Sequence, residues 1–181
     1  TMRLYMVSVE STDTDNDGLS DGREIFVYGT SQAVADSDGD GVVDGNEVNT
    51  YKTNPNNQDT DGDGISDGNE VSAGYDPLKL TKIYYVDSMR PNDTEDGLTL
   101  ATAKKTIWAA ISTVVKNGME YVILVAPGVY TDTDMNFSGK NIKLRSTGGA
   151  AQTIIDCGNT STAIAFTTSE GPECWLDGFT I

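Results

Sequence analysis

The sequence predicts a mainly β chain in two modules, a set of acidic loops with short helices followed by strands and turns around one helix. Three observations predict it. Acidic charge is concentrated in the first 80 residues, the acids there recur at a fixed period, and β-rich runs follow one another after residue 81. Residues 1–80 hold 17 Asp and Glu against 4 Lys and Arg, whereas residues 81–181 hold 11 against 8. That shift in composition marks a boundary near Lys79 to Lys82, giving a strand-like segment 1–10, a repeat module 11–80 and a second module 81–181.

The acidic module sets the chemistry. Three segments align without gaps, DTDNDGLSDGRE at 13–24, DSDGDGVVDGNE at 36–47 and DTDGDGISDGNE at 59–70, and their starts are 23 residues apart. Such a period is a repeat signature. Each loop carries Asp at positions 1, 3, 5 and 9, Gly at 6, an apolar residue at 7 and Glu at 12. Of the 17 acids in this half, 15 occupy these positions, and only Glu10 and Asp76 fall outside.

Alternating acids on a curled loop turn three carboxylates towards one centre: Asp13, Asp15 and Asp17, then Asp36, Asp38 and Asp40, then Asp59, Asp61 and Asp63. Gly18, Gly41 and Gly64 permit the bend. Leu19, Val42 and Ile65 each supply a backbone carbonyl and send a side chain into a small core. Asp21, Asp44 and Asp67 either bind, directly or through water, or cap the helix that follows. Glu24, Glu47 and Glu70 close the sites as bidentate ligands. An all-oxygen set of this size and irregularity suits calcium; transition metals favour nitrogen or sulfur, and magnesium is reluctant to enter all-protein cages. About three Ca2+ ions are expected. The repeats hold too few apolar residues to offset the ordering of roughly 23 residues each by burial, so ion binding must supply much of the folding free energy.

These units resemble bacterial thrombospondin type 3 repeats, relatives of EF-hand loops. The stretches after each loop, YGT at 28–30, YKTNP at 51–55 and GYDP at 74–77, resemble the helix exit and extended linker of such repeats. Lys52 replaces Gly29 of the repeat before, so the middle helix is expected to end differently. The resemblance implies calcium-dependent folding and a spacer role in secreted or cell-surface proteins.

In the second module, KIYYV (82–86), YVILVAPGVY (121–130), NIKLRS (141–146), QTIIDC (152–157), TAIAFTT (162–168) and CWLDGFTI (174–181) read as strands. Ile107, Ile111, Val114 and Val115 fall at helical spacing within 104–118, and Gly118 is placed to end that helix. A sandwich stays open on this pattern alone. The succession IYYVDS, NDTEDGLTLATAKKTIWAAI, YVILVAPGVYTD, NIKLRS and TIIDCG is similar to the first turns of a right-handed parallel β-helix of the pectin-lyase-like kind. That resemblance implies a helix-capped coil of strands, with the helix covering the open end. None of that family's catalytic residues is carried over to this sequence, because they generally lie on later turns. Asp87, Asp156, Asp177, Lys143 and Arg145 are the candidate acids and bases, and none is assigned a catalytic role.

The remaining features bound the function. A net charge of −16 repels phosphate backbones and excludes nucleic-acid binding, and the absence of histidine removes Ser-His-Asp and Cys-His catalysis. No apolar run is long enough to span a membrane. Asp93, Glu95 and Asp96 form either a further calcium site or a solvated loop, and Cys157 and Cys174 either a disulfide or two thiols. The segment RLYMVSVE (3–10) reads as a linker or as a strand donated to a neighbouring subunit. The chain stops at Thr180-Ile181 inside a strand-like run, so more chain or a covering partner is expected there. Together these readings favour a non-catalytic structural protein, extracellular or at the cell surface, whose partners are calcium and other copies of itself or surface glycans. A fibre subunit assembled by strand donation and the front of a secreted polysaccharide lyase or hydrolase are the alternatives.

Overall fold

The computed structural model describes residues 12–159, 161–167 and 170–181. The strand expected at 3–10 lies outside these described residues. Two compact units divide the chain between Leu80 and Thr81.

In the first unit each loop runs into a short helix. Helix α1 (Asp21–Arg23) widens into a π-type turn at Glu24–Tyr28, and α2 (Asp44–Asn46) widens likewise at Glu47–Tyr51. The third, α3 (Asp67–Ala73), stays α-helical. All three end in a left-handed residue, Gly29, Lys52 and Gly74. The middle helix therefore ends as its neighbours do, contrary to the expectation from Lys52. The Lys52 side chain stays at the helix terminus, where Nζ donates to the carbonyls of Val48 at 3.1 Å and Asn49 at 2.7 Å.

Each loop is closed at its neck. The amides of Asp21, Asp44 and Asp67 donate to the carbonyls of Thr12, Ala35 and Gln58 at 2.8, 2.9 and 2.8 Å. The amides of Gly18, Gly41 and Gly64 turn back to the first aspartate of their own loops. Because the polar backbone is spent inside the loops, it forms no ladder, and the described residues of this unit contain no strand. "Mainly β" thus overstates the chain; strands are a minority of the residues and belong to the second unit.

The second unit is built from parallel strands: β1 (Thr81–Val86), β2 (Glu120–Val125), β3 (Gly128–Tyr130), β4 (Met135–Asn136), β5 (Ile142–Ser146), β6 (Thr153–Ile155), β7 (Ile164–Ala165) and β8 (Trp175–Asp177). They form three ladders, β1-β2-β5-β8, β3-β6 and β4-β7. From β2 onwards, each paired strand meets the strand three places later, and Ile154 of β6 bridges in parallel to Thr180. The expected run 121–130 is two strands, since Pro127 has no amide to give a ladder. Strand β4 was not legible in the sequence.

Register stacks like on like. Tyr84, Ile123, Leu144 and Leu176 are successive partners in one row, and Val86 and Val125 in the next. Their inward side chains join Tyr130, Met135, Phe137 and Ile155 in one apolar core. Helix α4 (Ile107–Thr113) seals it with Ile107, Ala110 and Ile111. The helix is shorter than the spacing suggested. Thr113 begins a β-branched run, Val114 is already extended, and Gly118 lies in the turn before β2. Val114 still reaches the core, whereas Val115 is exposed. The helix ends are satisfied by side chains. Thr106 Oγ1 accepts from the Ala109 amide and Asp132 from that of Trp108, and Lys140 Nζ donates to the Ile111 carbonyl at 2.9 Å.

One ion pair is buried between β2 and β5: Lys143 Nζ lies 2.9 Å from Glu120 Oε1, both nearly inaccessible to solvent. Removing one member of such a pair leaves a desolvated charge and typically costs about 3–5 kcal/mol. Lys143→Met is expected to destabilise the second unit by about 3 kcal/mol. The chain's two tryptophans, Trp108 and Trp175, both lie in this unit, so urea denaturation followed by tryptophan fluorescence measures it directly. An unchanged midpoint would show the pair to be dispensable.

Candidate metal centres

Three sets of carboxylates converge. Asp13, Asp15 and Asp17 bring one oxygen each within 4.8 Å of one another, and so do Asp36, Asp38 and Asp40, and Asp59, Asp61 and Asp63. Local geometry places them. Within each loop, Asp17, Asp40 and Asp63 take the amide two residues on, at 2.6, 2.8 and 2.7 Å, curling the chain around the cluster. Leu19 and Val42 are buried beneath their loops, while Ile65 is only half-buried.

Glu24, Glu47 and Glu70 are completely buried, although each belongs to a residue type that seldom leaves solvent. Neither carboxylate oxygen of Glu24 has a hydrogen-bonding partner. Glu47 Oε1 accepts from Thr53 Oγ1 at 3.0 Å, but its Oε2 has none. Buried oxygens without donors also occur on Asp13, Asp15, Asp38 and Asp61. A buried anionic oxygen without a donor costs several kcal/mol, so this set fits a cation closely. A hard cation is indicated, since every donor is oxygen.

The electrostatics agree. Burial pushes the Glu24 carboxyl up to about 7, with the charges of Asp15, Asp17 and Asp21 adding to it. Burial pushes Glu47 up to about 8; the Thr53 hydrogen bond opposes the rise, and Asp38 and Asp40 reinforce it. Asp15, Asp38 and Asp61 are raised as well, again chiefly by burial.

The ninth-position acids are placed differently. Asp21 accepts from the Thr14 amide and hydroxyl at 2.9 and 2.8 Å, Asp44 from those of Ser37 at 2.8 and 2.6 Å, and Asp67 from those of Thr60 at 2.9 and 2.6 Å. Both oxygens clamp the loop onto its own second residue, so these acids stand outside the three-carboxylate clusters. The sequence did carry a signal for this clamp: position 2 is a hydroxyl residue in every loop.

Other candidates have local duties. Asp93 accepts from the amides of Lys105 and Thr106 at 2.6 and 2.9 Å, ahead of α4, and Asp96 from that of Leu98 at 3.0 Å. The clusters found among the described residues do not include Asp93, Glu95 or Asp96. Asp87 and Asp156 accept from the amides of Met89 and Gly158, both at 2.9 Å, and Arg145 faces Asp177 at 3.6 Å. Cys157 and Cys174 are not joined in a disulfide; their thiols donate to the carbonyls of Asp132 and Lys140.

Residues 13–30, 36–58 and 59–80 match the bacterial TSP3 repeat family, one match to each loop with its following linker. No curated protein and no solved structure matches the chain. Among the described residues, no helix is long and apolar enough to cross a membrane.

The raised carboxyls fix the pH response. Without metal, Glu24 and Glu47 titrate near 7 and 8 in the fold but near 4.5 in the open chain, so the folded state holds the extra protons. Their favourable contribution is complete below about pH 4.5 and is lost as pH rises through 7 to 8. Metal-stripped protein is therefore expected to show more ordered far-ultraviolet circular dichroism at pH 5 than at pH 8.5. Calcium affinity should follow the opposite trend, tightening up to about pH 8 as protons cease to compete. A flat profile for both would exclude the buried glutamates from the sites.

Proposed function

We propose that residues 11–80 are a calcium-binding module of three repeats, each loop holding one Ca2+ ion through its aspartates at positions 1, 3 and 5, the carbonyl of Leu19, Val42 or Ile65, and the glutamate at position 12. Asp21, Asp44 and Asp67 serve these sites by clamping the loops, directly or with a water between carboxylate and ion. The observation that carries this reading is the burial of Glu24 and Glu47, with oxygens that lack donors, beside clustered aspartates in segments matching bacterial TSP3 repeats. Calcium supplies the positive charge that lets these carboxylates coexist. The chain's own residues shape the pocket, close its neck and exclude solvent.

Residues 81–181 are proposed to be the first turns of a right-handed parallel β-helix, capped by α4. The pairing of each strand with the third one following supports a coil of three strands per turn. The whole is read as a non-catalytic structural protein of the extracellular space or cell surface. Calcium stiffens a spacer that adjoins the β-helix, and further copies of the chain or surface glycans are its partners. With three ions bound, the net charge of −16 is reduced but remains strongly negative, so nucleic acid stays excluded.

Isothermal titration of the full, metal-stripped chain with calcium chloride is expected to give about three ions per chain, with magnesium far weaker. Chelation should collapse the helical circular dichroism of the first unit and leave the tryptophan fluorescence of the second unchanged. A first unit that stays folded and protease-resistant after chelation would sink the reading.

A further inference from the structure

We infer that Gly45 and Gly68 are positioning residues for the calcium site of the repeat before their own, so that each of the first two sites is finished only when the next repeat docks. The inference rests on the calcium reading proposed above and adds a direction to it.

The amide of Gly45 donates to Asp17 Oδ2 at 2.9 Å, and that of Gly68 to Asp40 Oδ2 at 2.6 Å, each across 28 residues of sequence. The other oxygen of each acid accepts inside its own loop, from Leu19 and Val42. The fifth-position carboxylate is thus gripped from both sides, by its own repeat and by the following one. Neither glycine has a positive φ, so backbone conformation does not call for glycine there. Contact does: a Cβ on Gly45 would overlap the backbone carbonyl of Asp17, and one on Gly68 that of Asp40. The same junction repeats at the same register. Around the first, Asn49 Nδ2 reaches the Gly18 carbonyl at 3.5 Å and Asn56 Nδ2 the Tyr28 carbonyl at 3.0 Å.

A ligand carboxylate already held in place gives up less freedom when the ion arrives, so docking of the next repeat raises affinity at the earlier site. Linkage makes the effect mutual: an ion in the earlier loop must strengthen docking of the later repeat by the same factor.

The amides of Gly18, Gly41 and Gly64, at position 6 of the three loops, report each site separately in a 15N-resolved NMR titration of the full chain with calcium. Gly45→Ala is expected to raise the calcium midpoint read at Gly18 by roughly tenfold, although residue 45 lies outside that loop. Asn46→Ala, an exposed neighbour in the same turn, should leave it unmoved. Gly68→Ala should raise the midpoint at Gly41 and spare Gly18. A role confined to a glycine's own loop would move Gly41 in the first variant and Gly64 in the second, without touching the preceding site. An unmoved Gly18 in Gly45→Ala overturns the inference, as does an equal rise at all three glycines in both variants. If none of the three amides responds to calcium in the unmodified chain, it is the calcium reading that fails, not the coupling alone.

Discussion

Mutual repulsion of carboxylates governs the first unit. With three carboxylate oxygens inside 4.8 Å of one another, each pair of charges costs at least about 3.5 kcal/mol at an effective dielectric near 20. Glu24 and Glu47, buried and raised chiefly by that burial, feel the charges of their own loops' aspartates as well. An isolated chain would relieve this by opening the loops or by taking up protons, and the upward shift of Glu24 and Glu47 expresses the second route. A divalent ion converts the same crowding into attraction. Leu19 and Val42 are buried, whereas Ile25, Phe26 and Val27 remain exposed, so apolar burial contributes little here.

The second unit solves the same problem of ordering by other means. Its rows of aligned apolar side chains bury their area continuously along the ladders, and parallel register carries each row from strand to strand. Its most deeply buried carboxylate among the described residues, Glu120, is neutralised from within by Lys143. In the first unit, Glu24 and Glu47 each bury at least one oxygen that no hydrogen-bond donor reaches. The first unit is therefore sensitive to ions and to pH, while the second answers to apolar packing.

How far the sequence disclosed this follows from the range of each interaction. The loops were legible because ion ligation imposes a short, rigid spacing, and the structure gathers the acids of positions 1, 3 and 5 as that spacing requires. The clamp from Asp21 to Thr14 and the cross-repeat bond from Gly45 to Asp17 were missed, though hydroxyls at position 2 and glycine at position 10 recur in every loop. Their meaning depends on where a side chain turns and on what docks from 28 residues away, and neither follows from spacing alone. In the second unit, β-rich runs showed the strands. Helical periodicity overran the true end of α4, because Val114 keeps its place in the core after the backbone has become extended. Two-residue strands such as β4 are set by their parallel partners and leave no period to read.

The position-12 glutamate is where these constraints meet. The carboxylates of Glu24 and Glu47 feel the charges of their loop aspartates, while the backbone carbonyl of each position-12 glutamate accepts from the left-handed residue that ends its helix: Gly29 at 2.7 Å, Lys52 at 2.6 Å, and Gly74 in the third repeat. In the middle repeat, the linker's Thr53 returns a hydroxyl to the same side chain. A lysine with φ of 67° bears a conformational cost of roughly 1–2 kcal/mol that glycine avoids. It is tolerated because the turn is fixed from both ends, by the helix that holds Glu47 and by the linker that must reach Thr53 back to it. The turn geometry is thus imposed by the buried carboxylate, not by the residue that adopts it. For that reason a repeat can lose its glycine at this position and keep its helix end, whereas Gly45 and Gly68, held by contact with the preceding loop, leave no room for a side chain.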